Sequence, residues 1–380
     1  LIPSAGHFIS LYLHIPFCQR RCTYCDFNTY EGLEPLFAPY VEALAEEVRR
    51  TGRGEPAATI FFGGGTPSIL PASAIEKLLG ACRDAFAVDP SAEISLEANP
   101  GTVDAVQLAA LRRTGVNRLS FGVQSAHAGE LALLGRLHSF PQAAEAVGMA
   151  RAAGFDNLSL DLIYGLPEQS LADWAATLEA AVELAPDHVS AYCLTLEEGT
   201  PLFERVAAGQ TPEPDPDLAA EMYELAGVTL AKAGLRHYEI SNWARPGMEC
   251  RHNLVYWRDG DYLGFGAGAH SHRDGRRWWN VRAPGEYVVR VRGGGSPEAG
   301  GERLDVAQVM GEMMMLGLRL HEGVTADVFR AHFGRELAVV YEEELSELVA
   351  GGLLEWDGRR ARLTARGRLL GNRVFARFLG

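Results

Sequence analysis

From residue 8 to about residue 240, the chain alternates two hydrophobic rhythms. Short runs rich in β-branched and aromatic residues (FISLYLHI, ATIFF, AEISLE, NRLSFGVQ, NLSLDLIYG and HVSAYCL) read as strands, with HYEI near residue 240 a further candidate. Between them, segments 36–50, 72–86, 103–114, 140–153, 171–184 and 217–233 carry apolar residues at helical spacing. Strand, crossover helix, strand is the order of a parallel sheet. Six such units predict an α/β fold, a partial TIM-like (βα)6 barrel. GQTPEPDPD at 209–217 reads as a surface loop within it.

The rhythm then changes. VRGGGSPEAGGE, 291–302, is Gly-rich and aperiodic, and predicts a linker between a barrel domain at 1–290 and a smaller domain at 303–380. In the latter, 305–318, 325–332 and 335–350 read as helices, followed by a hairpin around Asp357-Gly358 and a last helix. Three helices and a hairpin resemble a winged-helix module. Met310, Met313, Met314 and Met315 form a stripe that reads as its core.

Charge narrows the function. The formal net charge of −14 argues against a general binder of polyanions, so no nucleic-acid partner is expected. Seven arginines between 359 and 377 are accounted for by a charged hairpin and solvated helix faces. No apolar run approaches the roughly 20 residues of a membrane span, and residues 1–17 lack the basic start and small-residue cleavage site of a leader. The expected compartment is the cytoplasm, where thiols stay reduced. Cys82, Cys193 and Cys250 are scattered, but Cys18, Cys22 and Cys25 fall within eight residues, a pattern for metal binding and not for disulfide stapling.

A structural zinc site takes four N or S ligands, and this loop offers three. His14, on the strand before it, is expected to pack beneath the loop. An iron–sulfur cube has four iron corners. Three thiolates can hold three of them and leave the fourth open to a small ligand.

The C-x3-C-x2-C pattern after the first strand, with Tyr24 before the last cysteine, resembles the radical S-adenosylmethionine (SAM) superfamily. In that family SAM chelates the open iron of a 4Fe–4S cluster, and the cofactors carry the radical chemistry. Polar groups recur at the other strand ends, where a barrel keeps its functional residues: GGGT at 63–66, Glu97, Gln124 and Asp161, with Arg136 following. YLHIPFC, GGGTP, GVQS and LDLIYGLP together resemble the branch of oxygen-independent coproporphyrinogen III dehydrogenase and HemW-like haem chaperones. The resemblance spans essentially the whole chain. It implies cluster ligation by Cys18, Cys22 and Cys25, and SAM contacts at Tyr12, Gly64, Gly65, Thr66, Glu97, Gln124, Arg136 and Asp161.

Two departures separate the chain from the dehydrogenase. That enzyme carries another cysteine two residues after the third, where Phe27 stands here, and it has a longer segment before the cluster loop. CRHNLVYW at 250–257 instead matches the H-N-x-x-Y-W motif of the chaperones through His252, Asn253, Tyr256 and Trp257. The resemblance implies haem as ligand, with His252 as its iron ligand and the neighbouring aromatics covering a porphyrin face. Cys250, His270 and His272 are lower-ranked candidates. The expected function is haem binding and delivery to an acceptor haemoprotein, with an electron donor if the cluster is redox-active. The alternatives are a radical oxidoreductase acting on a porphyrinogen and a winged-helix regulator.

Overall fold

A computed structural model describes residues 8–379; residues 1–7, part of the stretch read for a leader, lie outside them. The six predicted runs form strands β1 (Ile9–Ile15), β2 (Pro56–Gly64), β3 (Ala87–Ala98), β4 (Arg118–Gln124), β5 (Leu158–Tyr164) and β6 (His188–Cys193). They pair in sequence order and all in parallel. Helices such as Phe37–Thr51 and Ala72–Ala85 cross over between them and cover the sheet. Burial from both faces explains why these strands read as nearly continuous apolar runs.

Six parallel strands are only half of the sheet. HYEI pairs differently from the rest: β7 (Arg236–Glu239) and β8 (Asn242–Ala244) form a hairpin antiparallel to β6. At the opposite edge β9 (Tyr262–Phe265) joins β1 in parallel, followed by antiparallel β10 (His270–Arg273), β11 (Arg276–Asn280) and β12 (Glu298–Arg303). The partial barrel is thus extended at both ends into one 12-stranded sheet.

The predicted linker requires correction. Helix Pro284–Arg292 enters it, and its second half is strand β12, paired with β11. The glycines that made it read as a linker serve packing. A Cβ on Gly300 would come within 2.8 Å of the Trp279 indole, and one on Gly301 within 2.9 Å of the Arg277 carbonyl oxygen.

The β9–β11 edge is tied to the barrel through Glu47, buried on helix Phe37–Thr51. Its carboxylate accepts hydrogen bonds from Tyr287 Oη (2.5 Å), Asn280 Nδ2 (2.8 Å) and the Gly266 amide (2.9 Å).

The C-terminal segment has its own apolar core, in which Met310, Met313 and Met314 are buried and Met315 packs alongside. Its helices include Val306–Gly317 and Ala326–Phe333, while the predicted 335–350 helix breaks at Tyr341 into Leu337–Val340 and Glu342–Ala350. The three-stranded sheet comprises β13 (Val324–Thr325), β14 (Leu354–Trp356) and β15 (Arg360–Leu363), with Gly358 at φ +87° in the β14–β15 turn. This unit docks on the barrel through backbone bonds from Ile240 N to Arg319 O (3.1 Å) and from His321 N to Tyr238 O (2.9 Å).

Candidate functional site: a three-thiol cavity at the strand ends

The carboxyl ends of β1–β6 surround a cavity of about 650 Å³ lined by Cys18, Cys22 and Cys25, by all eight residues expected to contact SAM, and by His252. Residues more than two hundred positions apart therefore share one space.

The cysteine loop is fixed by its backbone. Cys18 N donates to Tyr30 O (2.9 Å), Thr23 N to Leu134 O (3.1 Å), and Leu202 N to Thr23 O (2.8 Å). All three thiols are free and partly exposed to the cavity. Each has a polar neighbour: Thr66 Oγ1 donates to Cys18 Sγ at 3.7 Å, Arg136 Nη1 to Cys22 Sγ at 3.3 Å, and Thr29 Oγ1 lies 3.7 Å from Cys25 Sγ. Burial pushes the Cys18 thiol up to about 11, with the two neighbouring sulfurs adding to the effect. A cation or metal centre is needed to favour the thiolate there. Among the described residues, no three His, Cys, Asp or Glu are gathered closely enough to hold a single metal ion. Three thiols fall one short of the four ligands of a structural zinc site and suffice for three corners of an iron–sulfur cube.

The glycines at the end of β2 and just beyond it keep the rim open. A Cβ on Gly65 would sit 2.5 Å from Phe17 O and 3.0 Å from Cys18 Sγ. Gly64 has φ +116°, and its Cβ would strike the His14 ring at 2.5 Å. His14 does lie beneath the loop as expected, bonded to Tyr12 Oη (3.0 Å) and Asn28 O (2.9 Å).

Opposite the thiols the cavity is acidic. Ser120 Oγ donates to both Asp161 oxygens at 3.0 Å, and the Gly64 amide donates to Glu97 Oε2 at 3.1 Å. Burial, and then the nearby Asp161 charge, push Glu97 up to about 7. Arg118 offsets part of this negative charge, and a cationic ligand would offset more. Arg136 is drawn inward by Gly122 O (2.7 Å) and Cys22, and its Nε is buried without a partner among the described residues. Gln124 ends β4 in the left-handed region at φ +68°. These features fit a cluster beside a small zwitterionic cofactor.

His252 lines the same cavity. Its Nδ1 lies 2.8 Å from Thr59 Oγ1 and its Nε2 2.9 Å from Tyr256 Oη. It is 1% exposed and stacks on Phe61 at 5.0 Å, and burial lowers its pKa to about 3. His252 is thus a hydrogen-bonded imidazole of the cavity wall, which iron would reach by displacing one of these two hydroxyls. Cys250 is fully buried, with its thiol pushed up to about 12, and His272 is buried as well. Trp257 also turns away from the cavity, lying under the Arg319 guanidinium at 4.4 Å.

Sequence reasoning passed over Arg118, fully buried yet lining the cavity, with Nε unpartnered among the described residues. Its signal was available: an arginine opening an otherwise apolar central strand has to be held by charge inside.

The profile of the Radical SAM superfamily matches residues 12–181 and that of the HemN C-terminal domain matches residues 304–370. The chain is 41% identical to the Heme chaperone HemW of Mycobacterium tuberculosis, covering 100% of this chain and 97% of that one. It is 37% identical to the Heme chaperone HemW of Escherichia coli, with 98% of each covered. Against a mouse protein, "Radical S-adenosyl methionine domain-containing protein 1, mitochondrial", identity is 38% over 96% of this chain and 86% of the relative. The solved structure of the Escherichia coli coproporphyrinogen III oxidase HemN, described as a radical SAM enzyme, superimposes with a TM-score of 0.87. That match has 26% identity and covers 98% of this chain and 90% of HemN. A three-cysteine loop above six parallel strands, with a HemN-type C-terminal domain, is radical SAM architecture. Within that superfamily the chain belongs to the HemW family of haem chaperones.

Proposed function

We propose that the protein binds haem and delivers it to acceptor haemoproteins in the cytoplasm. In its barrel it carries a 4Fe–4S cluster on Cys18, Cys22 and Cys25. SAM contacts Tyr12, Gly64, Gly65, Thr66, Glu97, Gln124, Arg136 and Asp161. When bound, these cofactors supply one-electron chemistry, for which an electron donor is required. The residues of the chain bind and orient: Arg136 steadies Cys22, and Glu97 and Asp161 meet positive charge.

The observation that carries the chaperone reading over the oxidoreductase one is Phe27. It is 65% exposed on the cavity wall, where the dehydrogenase branch has a further cysteine. Full-length likeness to the haem chaperones supports the same choice.

Anaerobic reconstitution, haem titration and transfer to an apo-haemoprotein test this reading, with product analysis on coproporphyrinogen in parallel. The expected result is about four irons per chain, stoichiometric haem and no decarboxylated product. Protoporphyrinogen formed over many turnovers would replace the chaperone with the oxidoreductase.

A further inference from the structure

Strand β4 ends at the cavity rim with Gln124, and Arg118 at its start reaches the same cavity from the floor. Arg118 is 2% exposed, yet among the described residues its guanidinium makes no hydrogen bond and no ion pair. Two carboxylates lie near enough to act on its charge, and both are engaged elsewhere. Glu93 accepts from the backbone amides of Arg251 (3.0 Å) and His252 (3.1 Å), and Asp161 takes the Ser120 hydroxyl on both oxygens. Ser95, which faces Arg118 in the β3–β4 register, also has a buried hydroxyl oxygen without a partner among the described residues. A buried guanidinium carries five N–H donors, and native proteins rarely leave such a group without an acceptor.

We propose that the floor of this cavity is a binding site for a small monocarboxylate with an apolar body, held by its carboxylate on Arg118. The site is separate from the residues assigned to the cluster and to SAM, and it goes beyond haem delivery. It makes the cavity a chamber for a second small organic ligand.

The groups present select the class of ligand. A planar guanidinium fork matches a carboxylate through two parallel N–H···O bonds. Glu97 and Asp161 line the same cavity and would repel a dianion such as phosphate, whereas one negative charge is offset by Arg118. Phe61, Ile163 and Tyr192 line it as well and supply apolar surface for the rest of the ligand. A neutral alcohol or a cation would leave the guanidinium as poorly satisfied as before. Arg136, the other buried arginine of the cavity, already donates to Gly122 O and Cys22 Sγ. Arg118 is therefore the buried cation left for an anionic ligand.

The test is calorimetric titration of the full-length, cluster-loaded protein with sodium hexanoate, sodium acetate and 1-hexanol at constant ionic strength, with and without saturating SAM. The wild-type protein is expected to bind hexanoate stoichiometrically, acetate at least about tenfold more weakly, and hexanol not measurably. Arg118→Met is expected to weaken hexanoate binding at least about tenfold, with iron content confirming the fold. Arg118→Lys keeps the charge and removes the fork, and is expected to weaken it severalfold. Should Arg118→Met not fold, the lysine variant and the wild-type series carry the test. Hexanol bound as tightly as hexanoate, or wild-type hexanoate affinity in either variant, would overturn the site. Absence of hexanoate binding to the wild-type protein would also overturn it and leave Arg118 to ordered water. Displacement of hexanoate by SAM, together with weaker SAM binding in Arg118→Lys, would assign the arginine to the cofactor and overturn the second ligand.

Discussion

The two halves of the sheet solve different problems. Strands β1–β6 are long, parallel and covered on both faces, and each carries its own apolar pattern. Strands β9–β12 span only four to six residues each, and all but β9 pair antiparallel, with tryptophans and arginines half-exposed between them. The first half is specified by burial. The second is specified by what each strand touches: Glu47 beneath β9–β11, and Trp279 above the glycines of β12. A parallel core therefore declares itself locally, whereas an edge exists only through its partners.

The sharpest break between the halves is expected at the thiols. Replacing Cys18, Cys22 or Cys25 by serine should abolish iron incorporation in an anaerobic iron and sulfide assay. Cys82→Ser, in the barrel core, should retain iron.

Glycines give the next largest contrast. Gly65→Ala and Gly300→Ala each force a Cβ into an occupied position, and each should cost about 1–3 kcal/mol in denaturant unfolding. Only Gly65→Ala should also lower iron content, because its Cβ presses on Phe17 and Cys18. Equal iron loss in both would mean that the edge and the rim are not independent.

Proton linkage separates the acidic wall from the rest. Glu97 is held at about 7 when folded, against about 4.3 in an unfolded chain. The folded form therefore takes up the proton more readily. Its stabilising contribution is complete below about pH 4.3 and is lost as pH rises towards 7 in the ligand-free protein. A cationic ligand reverses the preference. SAM affinity by calorimetry should rise by up to about tenfold per pH unit below 7 and level off above. Glu97→Gln should flatten that rise. Glu47 also stands at about 7, so only the difference between wild type and this variant isolates the wall.

The smallest effect is expected between the edge and the C-terminal domain. Arg277 Nη2 on β11 donates to both carboxylate oxygens of Glu312, at 2.7 and 2.6 Å. Arg277→Ala should cost about 1 kcal/mol and leave both iron content and SAM affinity unchanged.

The same contrast accounts for what the sequence disclosed. C-x3-C-x2-C, the apolar runs and the polar groups ending them are written in contiguous residues, and all of them meet at one cavity. The β12 strand was hidden because glycine signals both flexibility and close approach, and only the presence of Trp279 decides between them. The setting of His252 was hidden for a similar reason. A motif names its residues, but the hydroxyls that hold this imidazole come from Thr59, 193 positions away, and from Tyr256, one turn along its own helix. Arg136 shows the reverse case: a position that composition would assign to a surface ion pair lies against Cys22.

Helix Arg251–Trp257 lies between the cofactor cavity and the C-terminal domain. His252, Asn253 and Tyr256 border the cofactor cavity, while Trp257 is clasped by Arg319 and the following Arg258 pairs with Glu322 at 3.1 Å. At seven residues it is about 10 Å long, too short to bend and stiff enough to transmit a push. The wall of the cavity and the seat of the C-terminal domain therefore share one short backbone, so that neither can be repositioned without the other.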